Sequence, residues 1–354
     1  MVSTDAPASL KPIAERVEGR LEQFLRPELD RWAAFDSELG EPMAEIRRLV
    51  MSGGKRLRPA FCHWAFVGCG GDPDDPIVTD TGAAFELMHA FALFHDDVMD
   101  DAESRRGAPT THRTFAARHR DGSWSGEARR FGDGMAILIG DLAFVYSDQL
   151  MAGANATAWR IWNELRIELN VGQVLDVLGS VQGVRDLAHA ERICRYKSGK
   201  YTIERPMHLG AALADPSRFD DLAPRISAYG LPLGDAFQMR DDVMGAFGDE
   251  RATGKPVGGD LREGKPTPLL ARALAAATDA QREVLATVGR PELNDAGVAA
   301  IQTVLVETGA LADLETTIAE LTAEAIAALH DAGFERQATD ELIALAEFVS
   351  QREV

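Results

Sequence analysis

Residues 81–101 read TGAAFELMHAFALFHDDVMDD. From Phe85 to Phe94 the stretch is strongly apolar, with no strand-like alternation, and it then turns acidic. The pattern predicts one long helix over Thr81 to Asp100 that ends in a carboxylate cluster. Asp96 and Asp100 are four apart, so a helix puts them on one face. Stacked carboxylates repel, and at a helix C-terminus they also oppose the macrodipole. A hard cation relieves both costs, and Mg²⁺ takes one or two carboxylates together with waters and phosphate oxygens. The apolar run before the cluster points to a pocket rather than to open surface.

Ile226 to Phe247 repeats the design, apolar first and then Gln238-Met239-Arg240-Asp241-Asp242-Val243-Met244. Facing each other across a bundle, two such clusters could hold several Mg²⁺ ions around one diphosphate. Further helical patterns cover Glu15 to Phe35, Met43 to Met51, Met135 to Ala152, Ala158 to Ser180 and Ala188 to Leu213. Val298 to Val354 reads as two or three amphipathic helices. Loops are expected at Gly68 to Pro76, from Arg105 to Pro109, at His119 to Gly134 and at Gly248 to Pro268. Strand and hairpin signals are nearly absent, and no compositional break marks a linker. The expectation is an all-α bundle forming one domain over residues 1–354.

The 354 residues carry a net charge of −19, which opposes binding to nucleic acid and to anionic membrane surfaces. No apolar run is read as reaching the ~20 residues of a membrane span. The N-terminus has neither the basic start nor the apolar core of a secretory leader. Cys62, Cys69 and Cys194 form no Cys-x-x-Cys pair and read as reduced thiols of a cytoplasmic protein.

In so acidic a chain the grouped cations stand out. Gly53-Gly54-Lys55-Arg56-Leu57-Arg58-Pro59 puts three of them after two glycines, without the spacing of a P-loop. Arg105 and Arg106 follow the first acidic cluster, Lys197 and Lys200 lie inside a helical pattern, and Lys255 and Lys265 sit in the glycine-rich segment after the second cluster. Together they point to polyanionic substrates. His89 lies two turns before Asp96 on the same face.

These residues resemble the motifs of the trans-prenyl diphosphate synthase family, most closely its short-chain geranylgeranyl diphosphate synthases. Asp96-Asp97-x-x-Asp100 with Arg105-Arg106-Gly107 resembles the first aspartate-rich motif, and residues 53–59 the upstream basic motif. Gly172-Gln173-x-x-Asp176 and Lys197-Ser198 resemble the middle motifs. Gln238-x-x-Asp241-Asp242, Phe247-Gly248-Asp249, Gly254-Lys255 and Asp260-x-x-x-Gly264-Lys265 resemble the second aspartate-rich region. The matches run in order from about residue 50 to 270. The resemblance implies an all-α homodimer that condenses isopentenyl diphosphate head-to-tail with dimethylallyl, geranyl or farnesyl diphosphate, using Mg²⁺, with three ions around the bound diphosphate. It implies that Asp96, Asp100 and Asp241 bind metal with Asp97 and Asp242 in support. Lys55, Arg58, His89 and Arg106 would hold isopentenyl diphosphate. Arg105, Lys197 and Lys255, with Lys265 nearby, would hold the allylic diphosphate, and Ser198 and Gln238 would line the developing cation.

Two departures stand out. Serine replaces the usual threonine after Lys197 and keeps its hydroxyl. Gly245 stands where the family has the third aspartate of its second motif; Asp241 remains and Asp249 lies further on, so metal binding is expected to survive in weakened form. Gly245→Asp is accordingly expected to lower the Mg²⁺ requirement. Phe91 and Ala92, about one turn before Asp96, are expected to set product length, the large ring stopping the chain at twenty carbons with some farnesyl diphosphate. The competing readings are a farnesyl or longer-chain synthase, a class I terpene cyclase and a non-catalytic subunit of a heteromeric synthase. The cyclase would need an Asn/Asp-x-x-Ser/Thr-x-x-x-Glu motif, and the sequence is expected to hold none. The subunit reading fits poorly with the persistence of both acidic clusters.

Overall fold

In the computed structural model, which describes residues 6–182, 187–248 and 257–351, the quoted stretch lies in a helix at the heart of a bundle. This helix, α4 (Pro76–Met99), starts where Asp75 accepts from the Ile77 N–H at 2.9 Å and Pro76 takes the first turn. Phe85, Leu87 and Met88 are fully buried in it, because neighbours surround it: α1 (Leu10–Phe35), α2 (Gly40–Met51), α3 (Leu57–Gly68) and α6 (Ala128–Leu150). The helices α4 and α6, the latter with the turn that follows it, have the length and hydropathy of membrane spans, contrary to expectation. For α4 the reason is central packing, since a helix that is apolar all round belongs inside a core.

α5 (Thr111–Asp121) packs on α6, and α7 (Ala156–Gln182) follows. The expected 188–213 helix is present, but its middle is underwound. α8 (Leu187–Ile193) passes into a π-helical segment, Cys194–Glu204, and then into α9 (Arg205–Ala214). α10 (Phe219–Phe247) lies against that segment. After it come α11 (Gly259–Glu263), α12 (Pro268–Ala276), α13 (Asp279–Leu285), α14 (Asp295–Glu307), α15 (Ala310–Leu329) and α16 (Arg336–Ser350).

Some expectations need correction. His119 to Gly134 is not all loop, because α6 begins at Ala128. A Cβ on Gly132 would fall 2.2 Å from the His112 carbonyl oxygen, so this glycine serves close packing of α6 on α5 rather than a turn. The loop beginning at Arg105 is a hairpin: Ser104–Arg105 pairs with Ala108–Pro109. Arg106 and Gly107 turn it with φ of +53° and +72°, the backbone of a type I′ turn. All three cysteines are free thiols.

The buried apolar side chains form two clusters. The larger joins α1–α7, α9, the first half of α10 and α16. The smaller runs from Ala236 to Ile318 around the second half of α10 and α11–α14. α10 and α15 belong to both, and they pack against each other.

Candidate active site

The π-helical segment decides the site. It places Lys197 and Ser198 in a gap between α4, α7 and α10, and the closeness is allowed by glycine. A Cβ on Gly172 of α7 would lie 2.5 Å from the Lys197 amide, and one on Gly199 would lie 2.9 Å from the Gly234 backbone of α10. Such π turns recur at functional sites.

Two cavities meet there. One, of about 200 Å³, is polar and is lined by Asp96, Arg105, Asp176, Lys197, Ser198, Gln238, Asp242, Asp260 and Lys265. The other, of about 220 Å³, is largely apolar and is lined by Phe91, Ala92, Leu93, Met99, Leu169 and Tyr201, with Arg58 and His89 at one side. Asp96, Lys197 and Ser198 belong to both walls. The two acidic clusters therefore face one chamber, Asp96 from α4 and Asp242 from α10.

The carboxylates of that chamber are held by cations. Lys197 Nζ lies 3.2 Å from Asp96 Oδ1 and also binds Asp176. Gln173 Nε2 donates to the same Asp96 oxygen at 3.0 Å. Burial opposes charge on Asp96, but Lys197, Lys265 and Arg105 outweigh it and hold the carboxyl below its usual range. Asp100 caps α4; desolvation by the surrounding protein and then the charge on Asp96 raise it to about 6. Asp242 is buried, accepts from Gln238 Nε2 at 2.9 Å and is pushed well up by burial and then by the charge of Asp260. Asp241, half-buried, precedes it on α10. Lys265 reaches Asp260 at 3.4 Å and Glu263 at 2.9 Å; these carboxylates, with Asp96, keep it charged against burial.

Asp97 faces elsewhere. It takes Arg105 Nε at 2.7 Å and lines a small cleft behind that arginine, so it positions Arg105 and is not part of the polar chamber. Arg106 turns the opposite way, donating to Gly53 O at 2.6 Å and Ser52 Oγ at 2.8 Å in the loop that carries Lys55. Lys55 Nζ lies 5.2 Å from the Phe348 ring centre. Arg58 stacks on Tyr201 at 4.3 Å and donates to Thr202 Oγ1 at 3.2 Å. His89 is half-buried, and desolvation followed by the charges of Arg58, Arg106, Arg105 and Arg56 keeps it neutral. Its Nδ1, Arg58 Nε and the Tyr201 hydroxyl have no hydrogen-bond partner. Lys255 and Asp249 lie outside the described residues.

Among the described residues, no three acidic, histidine or cysteine side chains converge to cage an ion by themselves. Single hard carboxylates on opposite walls of a cation-lined chamber nonetheless fit Mg²⁺, which takes its remaining ligands from water and phosphate. Asp96 and Asp100 on one side and Asp241 and Asp242 on the other are the residues that would hold it.

Sequence reading left Gln173, Asp176, Tyr201 and Asp260 without roles. The first two had a signal, since their three-residue spacing puts both on the face of α7 that meets Lys197. The cyclase motif expected to be absent does occur as a spacing, Asp313-x-x-Thr316-x-x-x-Glu320. All three residues are exposed on α15, Asp313 pairs with Arg272, and none of them lines either cavity, so the match carries no metal site.

A family model described as polyprenyl synthetase matches residues 41–305. A geranylgeranyl diphosphate synthase of Mycobacterium tuberculosis is 33% identical over 310 residues, 85% of this chain and 81% of that protein. A geranylfarnesyl diphosphate synthase of Aeropyrum pernix is 32% identical over 272 residues, 74% of this chain and 79% of the relative. The geranylgeranyl pyrophosphate synthase of Corynebacterium glutamicum, solved with isoprenyl diphosphate and magnesium, superposes with a TM-score of 0.90 at 34% identity, covering 97% of this chain and 99% of that one.

Proposed function

Since the chain belongs to the polyprenyl synthetase family, we propose that it catalyses the Mg²⁺-dependent head-to-tail condensation of isopentenyl diphosphate with allylic diphosphates, giving mainly geranylgeranyl diphosphate. The observation that carries the reading is the pair of cavities joined at Asp96, Lys197 and Ser198. Their polarity matches a substrate with a diphosphate at one end and a hydrocarbon at the other.

Lys197, Lys265 and Arg105 line the polar chamber and stabilise the diphosphate as its bond to the allylic carbon breaks. Mg²⁺, which Asp96, Asp100, Asp241 and Asp242 would hold, would supply further electrostatic stabilisation of the leaving diphosphate. Ser198 and Gln238 stand beside the carbon left cationic. Arg58, Arg106, Lys55 and neutral His89 hold isopentenyl diphosphate so that its double bond attacks that carbon. The proton then lost passes to the released diphosphate, and no protein base is required. The apolar lining keeps water from the cation. Three ions around the diphosphate are part of the proposal, one or two carboxylates serving each.

A homodimer is also proposed. Ile167, Val171, Val174 and Leu178 recur along one face of α7 and are 46–58% exposed, with Leu138 and Val145 of α6 also exposed, at 60% and 51%. Stripes of this kind mark protein interfaces. The test of the activity is incubation of the purified chain with isopentenyl diphosphate, Mg²⁺ and each allylic starter in turn. Twenty-carbon product from all three starters, abolished by EDTA, is expected. Cyclic product, or no turnover by the chain alone, would overturn the reading.

A further inference from the structure

Gly245 is the fourth residue after Asp241 and therefore shares its face of α10. It is the place where a third carboxylate of this cluster would be attached. A Cβ built there would fall 1.9 Å from Asp260 Oδ2 and 2.5 Å from Asp260 Cγ. A side chain at 245 and the carboxylate of Asp260 thus compete for the same volume, and the carboxylate already occupies it. We propose that Asp260 supplies the third carboxylate on the α10 side of the diphosphate chamber, entering from α11 through the space that Gly245 leaves open.

The rest of α11 is built to hold it there. Gly258 and Gly264 flank the helix with φ of +71° and +75°, and a Cβ on Gly264 would fall 2.9 Å from the Cα of Gly289. The Lys265 amide donates to the Asp260 carbonyl at 3.1 Å, and its Nζ lies 3.4 Å from the Asp260 carboxylate. Asp260 is 14% exposed and lines the same wall as Asp242. The acidic complement of the second cluster is therefore preserved, although its third member comes from another helix. The expectation that Gly245→Asp eases metal binding is reversed, because the new side chain would displace Asp260.

The inference rests on the proposed diphosphate chemistry, and its test is independent of turnover. Mn²⁺ binding to the full chain is measured by electron paramagnetic resonance with inorganic diphosphate present. Asp260→Asn, nearly isosteric, should weaken binding of one ion by roughly ten- to a hundredfold. Gly245→Asp should also weaken it, and the double variant Gly245→Asp/Asp260→Gly, which moves the carboxylate to α10 and clears its space, should restore most of the lost affinity. Circular dichroism reports whether each variant is folded. Unchanged Mn²⁺ affinity in folded Asp260→Asn, or a double variant no tighter than folded Asp260→Asn, would overturn the assignment. Absence of prenyl transfer by the wild-type chain would instead count against the activity, whatever the Mn²⁺ result.

Discussion

Phe91 lines the apolar cavity with its ring 4.8 Å from that of Phe144 and 4.7 Å from that of His95. It is half-buried, so it both packs and borders the space into which a product would grow. Phe91→Ala should lengthen the product from farnesyl diphosphate beyond twenty carbons, read by chromatography. The loss of stability should stay below the ~3–5 kcal/mol of a fully buried phenylalanine; a stable variant with the same product places the stop elsewhere. Asp100 gives a pH prediction for the metal-free protein. Its folded value of about 6 lies above the ordinary 3.8, so its contribution is full below pH 3.8 and is lost as pH rises through about 6. In EDTA, Asp100→Asn should therefore melt higher than wild type at pH 7, with the gap closing as pH falls toward 4. The side chain is open to solvent, so the gap should be only about 1–2 °C; a gap that is constant with pH contradicts the assignment. Single positions of this kind were mostly legible in sequence, because Asp96, Asp100 and Lys197 stand in local spacings. The role of Gly245 was not, since what fills its space arrives from a different helix.

The π-helical segment shows the limit of periodicity. The sequence shows helix over 188–213, but Tyr201, Thr202, Ile203 and Glu204 are buried consecutively, so no polar face remains from which a change of pitch could be read. α3 escaped notice for the same reason, being buried from Pro59 through Gly68. α5 escaped for the opposite one, its last turn being Arg118-His119-Arg120. The contact of Gly199 with Gly234 is where the segment can be tested. Gly199→Ala needs the helices to part, because its Cβ would lie 2.9 Å from the Gly234 carbonyl carbon. Overpacking of this kind costs about 1–3 kcal/mol. It should also lower kcat more than it raises KM, since Lys197 and Ser198 would shift away from Gln238 on α10. Unaltered turnover in a folded variant would show that the segment tolerates the movement.

For the whole molecule, the exposed stripes of α6 and α7 predict association. Analytical ultracentrifugation should find a dimer, and Val174→Asp should weaken it at least ~10-fold, or about 1.4 kcal/mol. A wild-type monomer at micromolar concentration would contradict this. The bundle and its helix order were legible from apolar spacing, whereas the division of the core into two clusters was not, because it depends on how α10 and α15 pack together. That division has a mechanical consequence. Asp96 and Lys197 are mounted on the larger cluster, while Asp242, Asp260 and Lys265 are mounted on the smaller. The polar chamber is thus a vice with one jaw on each mass and α10 and α15 as the shared spine. A diphosphate gripped between the jaws acts as a cross-brace, and the grip that holds the substrate also stiffens the molecule around it.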